Sequence, residues 1–324
     1  MISHIIGTNM SNFRNFDKEG IVDKISKAAK ELDFTNDIMG FIEQIISLSI
    51  LLSNFDPPLS TTYRTIDEKA QDPSYFIATY FDTKDVYQAL WVYRMVRLLA
   101  RYVLLLDRFF EIRDDRYTWM AKKVRKSINK FLLNGNENHH LNYSIEYSLK
   151  QFCTFWKFEQ IIKRRILGGF TFSYNEIRHF NLFKSSDAST IYASVLDAKL
   201  PSFNENVSLI LHYNQAFLDL QDDWEDIVDD VQEDMPNVFV MAAVKDTPYK
   251  RIKNSSYESI RNMVLDRSHS SRASIIRLLN EYQESISNIC IPDNFAFLKS
   301  LSDHYANTLR ETFSANPNNM MINK

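Results

Sequence analysis

Between Asp219 and Asp234 the chain carries nine acidic residues and no basic one in sixteen positions. On a helix this segment sorts into rows. Asp222, Asp226 and Asp230 follow one another at i, i+4 and i+8, so neighbouring carboxylates stand about 5–6 Å apart on one face. Like charges at that spacing cost a helix roughly 0.2–0.5 kcal/mol per pair. A divalent cation would offset the cost, and Mg²⁺ binds carboxylate, water and phosphate oxygens in this way. Asp219 and Asp223 lie on an adjoining row. The acids that are not ligands are expected to face solvent or to support the ligand row. A solvated acidic face is the plain alternative. Against it, the acids continue the apolar run "VSLILHYNQAFLDL", which needs burial.

A second carboxylate pair stands in "LLLDRFFEIRDDRY". Asp107 and Glu111 are again i and i+4, and Asp107 follows "YVLLL" without a break. Burying an unpaired carboxylate is costly, so two such pairs at the ends of two apolar helices are more specific than either alone. Lys184, in "NLFKSSDAST", and Arg178 lie between the two acidic segments. Either could donate charge-assisted hydrogen bonds to a phosphate group.

The elements that must carry these residues read as helices. The chain has 324 residues but only 6 Gly and 8 Pro, too few turn-formers for a β-protein of this size. Helices are expected over residues 18–55, 84–113, 116–133, 143–167, 174–197, 204–233, 254–266, 270–290 and 293–313. Loops are expected at 56–65 and 134–142, and a frayed tail at 316–324. The expectation is an all-α fold, one domain over 1–324 with about ten helices around an apolar cavity. The 23 Phe, 16 Tyr and 4 Trp suit such a cavity and suit an ordinary core equally well.

Composition excludes several functions. A net charge of −3 gives no general attraction to nucleic acid or anionic lipid. Cys153 and Cys290 form no CxxC or Cys/His cluster, which argues against zinc and a disulfide framework. No apolar run is long enough to span a bilayer, and the N-terminus lacks a signal-peptide pattern. A cytoplasmic location is expected. A di-iron bundle would need two helical Glu-x-x-His motifs. Glu176-x-x-His179 is one, but Glu137-x-x-His140 falls in an Asn/Gly loop. An EF-hand is excluded by spacing and by the missing glycine.

The two acidic segments resemble the metal-binding motifs of class I isoprenoid synthases, over roughly residues 90–310. That family includes terpene cyclases, prenyl diphosphate synthases, and squalene and phytoene synthases. "DRFFE" resembles the first motif, Asp-Asp-x-x-Asp/Glu, with Arg108 in place of the second aspartate. Asp222, Asp226 and Asp230 match the cyclase spacing of the second motif. "DDWED" is also similar to the Asp-Asp-x-x-Asp of prenyl diphosphate synthases. It is similar again to the Asp-x-x-Glu-Asp of squalene and phytoene synthases, with Gln215 upstream. Lys184, Asp187 and Ala188 resemble the diphosphate-sensing trio of cyclases, and Lys184 also resembles the Lys-Thr lysine of prenyl diphosphate synthases. The Arg-Arg-Gly, Gly-Lys-Arg and Gly-Arg signatures of the separate branches are absent, and where cyclases carry Arg-Tyr near the C-terminus this chain has only Tyr305 and Arg310.

The resemblance implies a Mg²⁺-dependent terpene synthase that releases diphosphate from a linear prenyl diphosphate. It implies three Mg²⁺ ions, with Mn²⁺ as a substitute, held by Asp107, Glu111, Asp222, Asp226 and Asp230. Catalytic roles would fall to Asp107, Asp222 and Lys184, and diphosphate binding to Lys184 and Arg178. A prenyl-coupling synthase is the enzymatic alternative, and a helical scaffold with an acidic docking face the non-enzymatic one. A homodimer is compatible with the resemblance.

Overall fold

A computed structural model describes residues 86–112, 114–133, 139–186, 195, 203–265 and 270–314. The expected helices over 18–55, the loop at 56–65 and the tail at 316–324 lie outside these residues. By its contacts the chain divides into two compact units, Met1–Arg97 and Leu98–Lys324. The single-domain reading stays an expectation. Residues 86–97 are the described part of the first unit. All the candidate site residues belong to the second.

Every described element is helical, as expected. In chain order they are α1 (Val86–Ile112), α2 (Asp115–Leu133), α3 (His139–Leu167), α4 (Tyr174–Lys184), α5 (Glu205–Glu225), α6 (Ile227–Gln232), α7 (Val238–Ala243), α8 (Tyr249–Lys253), α9 (Tyr257–Leu265), α10 (Ser270–Ser287) and α11 (Phe297–Ser314). A single 3₁₀ turn, Asp293–Phe295, precedes α11. Among the described residues no helix is long and apolar enough to cross a membrane.

α5 is the organising helix. It packs against α11 and α4, while α7 and α11 pack on α10. Its buried residues include Val207, Ile210, Leu211, Ala216, Phe217 and Leu220. They recur at three- and four-residue steps, the signature of one apolar face. Burying a side chain such as Leu or Phe is worth about 1.5–3 kcal/mol, so this face holds the packing together. α7 is buried at every position from Val238 to Ala243.

Helix ends follow local chemistry. α3 stops at Leu167 because Gly169 adopts φ +75. The amide of Gly169 donates to Ile166 O at 3.0 Å and that of Phe170 to Arg165 O at 3.0 Å. This pair of bonds is the Schellman stop, and it favours glycine at the left-handed position. α4 starts in a capping box. The Ser173 hydroxyl accepts from the Glu176 amide at 3.3 Å, and Glu176 Oε2 accepts from the Ser173 amide at 2.8 Å. Glu176 also meets Arg165 at 2.7 Å, so the sole firm half of the di-iron pattern serves as a helix cap.

Four expectations need correction. The helix expected over 174–197 stops at Lys184, with Ser185 as its C-cap. The helix expected from residue 143 begins at His139, inside the expected loop. The short helices α7 and α8 stand where the sequence pattern predicts none. The single helix expected over 204–233 is two, bent at Asp226, where φ is −92 and ψ is 3. The cause is visible one turn earlier. Asn237 Nδ2 donates to the carbonyl of Asp223 at 2.5 Å, the acceptor that an unbroken helix offers to residue 227.

Candidate active site

The acids of the 219–234 segment separate by burial. Asp222 and Asp226 are exposed, Asp219 and Asp230 half-buried, and Asp223 is 1% exposed. The amide of Asp226 still donates to Asp222 O at 2.9 Å, and that of Asp230 to Asp226 O at 2.9 Å. The bend therefore keeps the expected ligand row in helical sequence while tilting its last member.

Asp219 and Asp223, expected to face solvent or to support the row, do not face solvent: they hold the end of α4. Lys184 Nζ lies 2.5 Å from Asp223 Oδ1. The Ser185 hydroxyl donates to Asp219 Oδ2 at 2.5 Å, and Gln215 Nε2 donates to Asp219 Oδ1 at 2.9 Å. The other oxygen of Asp223 accepts from the Val238 amide at 2.7 Å, at the start of α7. Burial works against the Lys184 ammonium, but the charges of Asp223, Asp219 and Asp222 outweigh it and raise its pKa well above that of an ordinary lysine.

A further carboxyl joins this field from α3. Glu159 follows Phe152 and Phe155 on the stripe that continues through Ile162 and Ile166, all four of them buried. Phe152 and Trp156 meet Phe110 of α1 at ring distances of 6.2 and 4.2 Å. Phe155 meets Phe180 and Phe183 of α4 at 5.7 and 5.5 Å. One turn beyond Glu159, Lys163 donates to Glu233 O at 3.1 Å. Glu159 thus stands between α1, α4 and the turn after α6. Burial pushes its carboxyl up to about 8. Lys184 opposes the rise, while Asp107, Asp223 and Asp230 add to it. Asp230 is pushed up to about 7, chiefly by burial and then by Asp223, against the hydrogen bond from Asn237. Burial likewise takes Asp219 to about 6, opposed by Lys184.

The structure therefore brings Asp107, Lys184 and Asp230 into one electrostatic neighbourhood, with Asp222 and Asp226 on the open side of the same segment. Glu111 lies on α1, one turn past Asp107, and its side chain is outside the described residues, as are Asp187 and Ala188. Arg178 goes elsewhere. Its Nε lies 3.4 Å from Glu281 Oε2 of α10, and Glu281 is also held by Arg277 at 2.9 Å. Glu159 and Asn237 are marked by no motif or spacing, whereas Asp219 and Asp223 form the adjoining row and Asp223 is the second aspartate of "DDWED". For Glu159 a signal exists: an acid placed on the repeat of an apolar stripe.

The donor chemistry fits a hard divalent cation. Carboxylate oxygens are the donors such a cation takes, and Asp230, the half-buried member of the row, is raised first by burial and then by Asp223. Among the described residues no three His, Cys, Asp or Glu side chains converge closely enough to hold a metal ion.

No family model and no curated protein matches the chain. A solved structure from Corynebacterium glutamicum, described as a "putative geranylgeranyl pyrophosphate synthase", aligns over 92% of this chain and 100% of its own, with 12% identity and a TM-score of 0.49. A likeness at that score carries no argument. The functional reading rests on the residues themselves.

Proposed function

We propose that this chain is a Mg²⁺-dependent class I terpene synthase that ionises a linear prenyl diphosphate. The observation that supports it best is Lys184, a cation held at 2.5 Å by a buried aspartate and placed among carboxyls of α3, α5 and α6. A surface lysine needs no such surroundings. Asp107 and Glu111 would hold Mg²⁺ from one side, and Asp222, Asp226 and Asp230 from the other. Bound there, the metal supplies Lewis-acid stabilisation of charge on a leaving diphosphate.

The chain's own groups have separable tasks. Lys184 donates charge-assisted hydrogen bonds to diphosphate oxygens, which compete with Asp223 for its protons. Asp223 keeps the ammonium charged and aimed. Phe155 and Phe183, one turn or less from Glu159 and Lys184, offer ring faces to a carbocation. Arg178 is a weaker candidate for the diphosphate, because Glu281 already holds it.

The test is incubation of the purified protein with geranyl, farnesyl, geranylgeranyl and geranylfarnesyl diphosphate. Each is run with Mg²⁺ or with EDTA, and with or without isopentenyl diphosphate. Diphosphate release with a hydrocarbon or alcohol product, only in Mg²⁺, is expected. Elongated products only with isopentenyl diphosphate would move the assignment to a prenyl-coupling synthase. No turnover of any substrate would leave the scaffold reading. Asp222→Ala should abolish turnover, and full activity in that variant would remove the second motif as a metal site.

A further inference from the structure

We propose that Asn237 is a positioning residue that sets the orientation of Asp230 within the candidate metal row, an inference that rests on the reading above. Asn237 is 0% exposed and uses both ends of its side-chain amide. Its Nδ2 donates to Asp230 Oδ2 at 2.8 Å and to Asp223 O at 2.5 Å. Its Oδ1 accepts from the amides of Phe239 at 2.9 Å and Val240 at 3.4 Å, capping α7. One buried side chain therefore joins the bend, the last acid of the row and the start of a buried helix.

The geometry has a chemical consequence. A carboxylate held by one donor through one oxygen turns the other oxygen to a defined direction. Asn237 fixes Oδ2 of Asp230 and so presents Oδ1. Partners of this kind orient metal ligands, and their loss typically costs 10–100-fold in metal affinity or activity. Asn237 also reaches the Lys184 side of the site, because the Asp223 whose carbonyl it binds holds Lys184 with its carboxylate. The cationic and anionic halves of the site share this one joint.

Two substitutions separate positioning from capping. Asn237→Ser retains an N-cap acceptor and removes both Nδ2 donations. Asn237→Asp retains the acceptor and sets a carboxylate against Asp230. Mn²⁺ binding in the presence of inorganic diphosphate is measured by electron paramagnetic resonance for wild type and both variants, with thermal midpoints alongside. The expected result is that wild type binds Mn²⁺, Asn237→Ser binds about 10-fold or more weakly, and Asn237→Asp more weakly still. Wild-type affinity in a folded Asn237→Ser would overturn the inference while leaving the metal reading intact. No Mn²⁺ binding by wild type would overturn both. Should neither variant fold, wild type still decides. Hydrogen exchange at the Val238, Phe239 and Val240 amides should slow when Mn²⁺ and diphosphate bind, and unchanged exchange with metal bound would overturn the inference.

Discussion

The two ends of α4 each present a cation to an acid, and they do so in opposite ways. At the C-terminal end Lys184 meets Asp223, whose carboxylate is 1% exposed. Near the N-terminal end Arg178 meets Glu281, and these side chains are 40% and 33% exposed. The first pair sits among further carboxyls and a buried cap. The second is a surface network in which Arg277 shares Glu281 and stacks on Tyr174 at 4.0 Å. Charge count does not separate the two ends. Desolvation does, because an ion pair gains or loses most where water cannot screen it.

The largest effect should come from breaking the buried pair. Lys184→Met leaves Asp223 uncompensated and should lower stability by about 3 kcal/mol, with loss of turnover. A double-mutant cycle with Asp223→Asn, which keeps an acceptor for the Val238 amide, should show coupling above about 1 kcal/mol. A coupling no larger than that of the Arg178–Glu281 cycle would erase the contrast. At the other end, Arg178→Gln should change stability by less than about 1 kcal/mol and leave the KM for prenyl diphosphate near that of wild type. A large rise in KM would return Arg178 to the diphosphate site.

The smallest effect lies at the cap of α4. The Ser173 amide, and after it Arg165, hold the Glu176 carboxyl below its ordinary value of 4.5. A lowered folded pKa contributes stability that is fully present above the unfolded value and is lost as pH falls through the folded one. Glu176→Gln should therefore cost a few tenths of a kcal/mol at neutral pH, and the difference should fade as pH falls through the lowered folded value. A difference that persisted at low pH would mean that the hydrogen bonds, not the charge, carry the cap.

How much of the molecule is legible in its sequence varies by residue. The all-helical character of the described chain can be read from scarce Gly and Pro, and the end of α3 from Gly168-Gly169. The bend at Asp226 cannot. It depends on Asn237 reaching back to a carbonyl fourteen residues earlier in sequence. The α7 helix is hidden for a related reason, since six consecutive buried residues show no face to count. At the site, Asp107, Lys184 and the aspartate row are visible as types and spacings. Glu159 shows in the sequence only as an acid on the repeat of an apolar stripe, and its partners come from other helices.

What the sequence determined alone is the local inventory: helical periods, caps, and carboxylates one turn apart. These depend on residues within four positions of each other, so spacing is enough to find them. Tertiary structure decided which of those carboxylates are buried, and against what. Two neighbours, Asp222 and Asp223, differ by one position and about 100° on the helix. One faces water, and the other is buried against Lys184 of another helix. Burial and long-range partners separate the two, and neither is written in a linear spacing.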